Sequence, residues 1–264
     1  MVGAGSSGRL WVEDEGSGPA TIVLEAGNGN DSTVWHAIVP RLRVLGVRVL
    51  SYDRIGLGRS DAAPSTSSVQ AEVRRLRQLL RTCRVTGPIV FVAHSYGGAL
   101  GLMLAEHDHQ SRGMVLVDAI VPGAMSERMI DKALAEVRPQ YTAFRQQEPL
   151  RAGALIPLME AMPVTRRRFL KVKVSPALPI IDIVADHGAG GSDDQESIAD
   201  WRAAHAAFVA GNSHRQAVLA VSSGHKVMLH RPDIVVDAIR RMLVSLHFLA
   251  NRSDAGDPGE RSRL

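Results

Sequence analysis

Short apolar runs alternate with helix-length stretches along most of this chain, and that rhythm limits the folds open to it. Thr21–Glu25, Val47–Tyr52, Ile89–Ala93, Met114–Val117 and Ile180–Ala185 are brief and mostly apolar. Such runs are what strands covered on both faces look like. Arg9–Glu13 reads as an opening strand and Ala217–Val221 as the last one. Between them, Val34–Leu45, Val69–Cys83 and Ala99–Glu106 read as helices, and a closing helix runs from Pro232 to about Leu249. Ser32 or Thr33 would cap the first of these, and Pro232 suits a first helical turn. Strand and helix in this order predict an α/β fold with a doubly wound, mostly parallel sheet.

One stretch breaks the rhythm. Residues 122–176 hold the helix-like pieces Ser126–Val137, Tyr141–Gln147 and Ala154–Met162 but no core strand. A helical insertion between two core strands is expected to form a cap over a site at the sheet edge. The core would then be 9–121 and 177–250. Residues 251–264 are polar and rich in breakers, so a disordered tail is expected there.

Composition narrows the function. The chain has 264 residues, enough for a full core without disulfides or metals. Its lone cysteine, Cys83, can form no internal disulfide. The net charge is +4, with arginines scattered along the chain. The densest cluster, Arg166-Arg167-Arg168, lacks interleaved aromatics and reads as a solvated face, not a nucleic-acid site. Met1–Gly8 has no apolar stretch of the signal-peptide kind, and no run is long enough to span a membrane. A small-molecule substrate, no nucleic acid, no membrane and a cytoplasmic location are therefore expected. The oligomeric state cannot be read.

The sharpest local signal is Val92-Ala93-His94-Ser95-Tyr96-Gly97-Gly98. An apolar strand runs into a serine, then two glycines, then a helix. So tight a reversal strains the central residue and requires small neighbours two positions away on each side. Ala93 and Gly97 meet that need. The reward is a hydroxyl lifted clear of the sheet at a helix N-terminus, where negative charge is favoured. Ser95 is thus the candidate nucleophile. Its neighbour His94 would point away and is read as packing.

With three further motifs the chain resembles the α/β-hydrolase superfamily over roughly residues 9 to 250. Leu24-Glu25-Ala26-Gly27-Asn28-Gly29 stands where that family has its oxyanion loop, with Ala26-Gly27 in place of the frequent His-Gly. Ser51-Tyr52-Asp53-Arg54-Ile55-Gly56-Leu57-Gly58-Arg59-Ser60 is similar to its glycine-rich stretch after the next strand, where Asp53 and Arg54 would be scaffold residues. Ser222-Ser223-Gly224-His225 follows the last strand, the family's place for the catalytic histidine. The resemblance implies His225 as general base, ahead of His230 at the entry to the final helix. It also implies an oxyanion hole from the backbone N–H groups of Asn28 and Tyr96.

The acid has two candidates. Asp118, in Leu116-Val117-Asp118-Ala119, matches the position used in some subfamilies and is preferred. Asp186, in Val184-Ala185-Asp186-His187-Gly188, is the alternative at the next strand end. Asp193 and Asp194 read as N-terminal charges of the helix containing Trp201.

The implied reaction is hydrolysis of an ester-like bond through an acyl-enzyme on Ser95, with no metal and no organic cofactor. The fold hosts many chemistries. A cofactor-free lyase or perhydrolase, a carbon–carbon bond hydrolase on the same triad, and a small-ligand binding protein on the same scaffold stay open as alternatives.

Overall fold

The computed structural model describes residues 1–3, 8–64 and 68–250; the expected tail at 251–264 lies outside the described residues. A seven-stranded sheet forms the core. Its strands are β3 (Val12–Glu15), β4 (Thr21–Glu25), β5 (Arg48–Tyr52), β6 (Ile89–His94), β7 (Ser111–Val117), β8 (Ile180–Ala185) and β9 (Arg215–Ala220). They lie in the order β3-β5-β4-β6-β7-β8-β9. Only β3 is antiparallel to its neighbour. A separate antiparallel pair, β1 (Val2–Gly3) and β2 (Arg9–Leu10), sits apart. The mostly parallel α/β sheet predicted from the apolar runs is therefore present.

The strand order places the site. From β4 the chain passes to β5 on one side, then crosses to β6 on the other. Where connections diverge in this way, a crevice opens at the carboxyl ends of the strands. Asn28 follows β4 and Ser95 follows β6, so both emerge at that crevice. Every residue of β4 and β6 is buried. This is why those strands carry no alternating pattern.

Helices cover both faces: α1 (Val39–Arg43), α2 (Val69–Thr82), α3 (Tyr96–Ala105), α8 (Gln195–Val209), α9 (Val227–His230) and α10 (Pro232–Ser245). In α2, Val73, Leu76, Leu79 and Leu80 are buried, as the amphipathic pattern requires. Ser68 caps it, its side chain accepting from the Ala71 N–H at 3.3 Å. Between β7 and β8 stand α4 (Glu127–Val137), α5 (Tyr141–Gln147), α6 (Pro149–Glu160) and α7 (Met162–Phe169), with no strand among them.

Several boundaries differ from expectation. Val34–Leu45 is not one helix. A 3₁₀ turn at Ser32–Trp35 is followed by the five-residue α1. Pro40 is the cause, because it lacks an N–H to continue the first segment and instead starts a new one. The cap of the turn is Asp31, which accepts from the Thr33 N–H at 3.0 Å. The opening strand divides at Trp11, whose N–H donates to Ser60 Oγ at 2.9 Å instead of to a strand. The last strand begins earlier than expected, at Arg215. It lies at the sheet edge, so polar residues are tolerated in it. Arg167 and Arg168 are exposed, whereas Arg166 donates to the Met125 carbonyl at 2.7 Å.

Candidate active site

Ser95 sits between β6 and α3 with φ of 52° and ψ of −123°. A non-glycine residue in that region stores roughly 1–3 kcal/mol of strain. The close packing around it explains the glycines. A Cβ on Gly97 would fall 2.7 Å from the Glu25 carbonyl oxygen and 2.8 Å from that of Ala26. A Cβ on Gly27 would fall 3.0 Å from Ser95 Cβ. The loop after β4 and the serine turn therefore approach only because both positions lack side chains. The backbone N–H groups of Asn28 and Tyr96 find no protein acceptor among the described residues, whereas those of Gly98 and Asn30 do.

His225 and Asp118 are joined directly. His225 Nδ1 lies 2.6 Å from Asp118 Oδ2. An ionised carboxylate only accepts, so Nδ1 carries the proton and Nε2 keeps its lone pair. Asp118 follows β7, is fully buried, and has φ of 42°. Three more donors converge on it: the N–H of Ala185 at 3.1 Å, the N–H of Gly190 at 2.8 Å and the Trp201 indole at 3.0 Å. Burial pushes its carboxyl up, but the hydrogen bond and charge of His225 and the two amides outweigh burial and hold it below the usual carboxylate range. Asp186 does not reach the imidazole. Its carboxylate accepts from the Ser222 N–H at 3.0 Å, bracing the loop before His225. His230 is exposed at the end of α9, where its Nδ1 accepts from the Gly224 N–H at 3.2 Å. Asp194 caps α8, accepting from the Ser197 N–H at 3.0 Å.

Ser95 and His225 are brought to one end of the sheet without a hydrogen bond between Ser95 Oγ and the imidazole. His94 stands beside both. Its ring centroid is 4.6 Å from that of His225, and its Nε2–H donates to the His225 carbonyl at 3.1 Å. Burial, then the neighbouring His225, push His94 down to about 3. The fold thus holds His94 neutral, while the unfolded chain protonates it near 6.5. Its stabilising contribution is complete above 6.5 and is lost as the pH falls toward 3. Urea unfolding at pH 7 and pH 4.5 should show His94→Gln losing less stability on acidification than wild type, by on the order of 2 kcal/mol. Equal losses would refute this assignment.

Beneath the loop after β4 lies a buried polar network. Arg54 Nη1 donates to Glu25 Oε1 at 2.8 Å and to the Ala26 carbonyl at 2.5 Å. Its Nη2 donates to the Gly27 carbonyl at 2.5 Å. Glu72, on the buried side of α2, faces Arg54 at 3.6 Å, and the Tyr52 hydroxyl donates to Glu25. Burial pushes Glu25 up to about 6 against the opposing pull of Arg54. A second buried pair, His205 Nδ1 to Asp182 Oδ2 at 2.8 Å, lies behind Trp201.

A chamber of about 180 Å³ opens above Ser95. Ile120, Trp201 and the methionines Met125, Met129, Met159 and Met162 line it. Among the described residues, no cluster of His, Cys, Asp or Glu is arranged to hold a metal ion, and no helix is long and apolar enough to cross a membrane.

A profile of the alpha/beta hydrolase family matches residues 22–238. The chain belongs to that family. It is accordingly a hydrolase acting on small molecules. Among relatives of this alpha/beta hydrolase, the uncharacterized protein YqjL of Bacillus subtilis is 25% identical over 228 residues, 85% of this chain and 84% of that one. The lipase LipV of Mycobacterium tuberculosis is 34% identical over 129 residues, 47% of either chain. An esterase from Thermogutta terrifontis shares the fold, with a TM-score of 0.65 at 21% identity, covering 90% of this chain and 94% of that one.

Proposed function

We propose that this hydrolase cleaves carboxylic ester bonds of small apolar substrates through an acyl-enzyme on Ser95. The observation that carries the reading is the strained Ser95 facing an apolar chamber beside two unpartnered amides, those of Asn28 and Tyr96. Helices 122–176 act as the cap that walls the chamber. In the first step, Ser95 Oγ bonds to the substrate carbonyl carbon as its proton passes to His225 Nε2. The carbonyl oxygen gains the charge and accepts from the Asn28 and Tyr96 N–H groups. The C–O bond to the alcohol then breaks, and the alcohol leaves with the proton from His225. Water repeats the sequence on the acyl-enzyme and releases the acid. Asp118 holds the imidazole in the required tautomer and stabilises its charged form. The hydrogen bond between Ser95 Oγ and His225 Nε2 forms when substrate docks.

The name of the lipase relative and the esterase fold neighbour agree with ester chemistry. A fluorophosphonate probe should label Ser95, with peptide mass spectrometry locating the adduct, and short p-nitrophenyl esters should be hydrolysed. Labelling without ester hydrolysis would move the reading to the carbon–carbon hydrolase, lyase or perhydrolase chemistries of the same triad. No labelling would leave a ligand-binding protein.

Trp201 enters as a positioning residue. Its indole N–H is one of four donors on Asp118, and such bonds to charged groups contribute about 1.5–3 kcal/mol. Trp201→Phe should lower kcat roughly tenfold and shift the acidic limb of the pH–rate profile. A kcat within twofold of wild type and an unmoved limb would show that the two amides suffice.

A further inference from the structure

The reactive chamber has a neighbour. A groove of about 750 Å³ runs along α5 and α6, lined by Tyr141, Phe144, Arg151 and Leu155. It is about four times the volume of the chamber above Ser95. Among the described residues, Asn28 and Met159 alone line both spaces. The two side chains touch, with Asn28 Nδ2 3.4 Å from Met159 Sδ. Chamber and groove therefore meet where this amide faces this thioether.

The two halves of that contact are unequal. Asn28 belongs to the oxyanion loop, whose carbonyls at Ala26 and Gly27 are held by Arg54. Met159 is only half-buried, on α6. Its unbranched side chain has three rotatable bonds, and a thioether sulfur is a weak acceptor. Met159 is thus the movable half.

We propose that Met159 is a specificity-determining residue that limits the length of the acyl group. This rests on the reading of Ser95 as an esterase nucleophile. An apolar cavity of about 150 Å³ accommodates benzene, so a chamber of about 180 Å³ takes an apolar group of roughly six carbons. Longer acyl chains meet Met159 and enter the groove only if the thioether moves aside. The substrates are esters of compact acids, with the larger groove kept from the acyl chain by one side chain.

The test compares p-nitrophenyl hexanoate with decanoate for wild type, Met159→Ala and Met159→Leu. Burial of one methylene contributes about 0.8 kcal/mol, close to fourfold in rate. Wild type should favour hexanoate over decanoate by at least about tenfold. Met159→Ala should raise the decanoate-to-hexanoate ratio of kcat/KM by at least about tenfold, whereas Met159→Leu, which keeps the bulk, should retain the wild-type ratio. A smaller rise in Met159→Ala, or a wild type indifferent to length, overturns the proposal. If Ser95 proves not to be an esterase nucleophile, neither ester is cleaved. Calorimetric titration with 1-hexanol and 1-decanol then decides. Met159→Ala must strengthen decanol binding relative to hexanol by about tenfold, and an unchanged ratio overturns the partition itself.

Discussion

Ser95→Ala is expected to lower kcat on p-nitrophenyl esters by roughly 10⁵–10⁶-fold while leaving thermal stability close to wild type. The loss is large because nothing at the chamber can replace the hydroxyl. Of the other polar residues that line the chamber, Asn28 carries an amide, the Tyr96 hydroxyl is buried on the Glu72 side, and the Trp201 N–H is held by Asp118, so none offers a nucleophile of comparable use. Stability should hardly move because Ser95 caps α3 without a side-chain hydrogen bond. Alanine at φ of 52° keeps the strain and removes only the oxygen. The residual rate should come from the oxyanion hole and substrate binding, which act without the serine. Steady-state kinetics at several enzyme concentrations, with the unfolding midpoint of each variant, would check both halves. A variant retaining more than about one hundredth of the wild-type rate would remove Ser95 from the nucleophile role.

Asp118→Asn should cost about 10⁴-fold in kcat, and Asp186→Asn less than about threefold. The difference follows from what each carboxylate touches. Asp118 receives four donors, one of them His225 Nδ1 at 2.6 Å. An asparagine there must turn its NH₂ toward one of those donors, or force Nδ1 to become the acceptor and place the proton on Nε2. The second outcome removes the base from Ser95, and the first sets an NH₂ against the other donors and loses the charge that stabilises imidazolium. Asp186 braces a loop through the Ser222 N–H and leaves the imidazole alone. Kinetics of the two variants side by side separate the roles. Comparable losses in both would return Asp186 to candidacy.

Much of this was legible in the residues, and the parts that were not share a physical reason. The buried strands declare themselves because a parallel strand is apolar on both faces, as in Ile89–Ala93. Ser95 is legible because its turn demands small neighbours at fixed offsets. The choice between Asp118 and Asp186 was not decided locally, since both close an apolar strand. What distinguishes them is the set of donors that arrive from elsewhere. Trp201 lies 83 residues beyond Asp118 on a helix whose pattern says only that it packs. The buried pairs did leave traces. Asp182 interrupts Ile180-Ile181-Asp182-Ile183-Val184, a run otherwise without charge, and a charge in a strand covered on both faces needs a partner, here His205. Glu72 sits on the apolar side of α2 beside Val69 and Val73, which marks it in the same way. Pro40 was a visible break that the apolar spacing of Val34–Leu45 masked.

The grip of Arg54 on the loop after β4 bears on how this protein can change over generations. Its guanidinium holds the carbonyls of Ala26 and Gly27, main-chain atoms present whatever side chains stand there. The shape of the loop is therefore inherited from Arg54 and its carboxylate partners on β4 and α2, not from the letters of the loop. Ala26 in place of the histidine frequent among hydrolases leaves that grip intact. Mutational drift, or a laboratory library confined to position 28, can recolour the chamber wall while the direction of the amides persists. The corresponding freedom at 54 is small, because one substitution there would release two carbonyls and strand two buried acids at once.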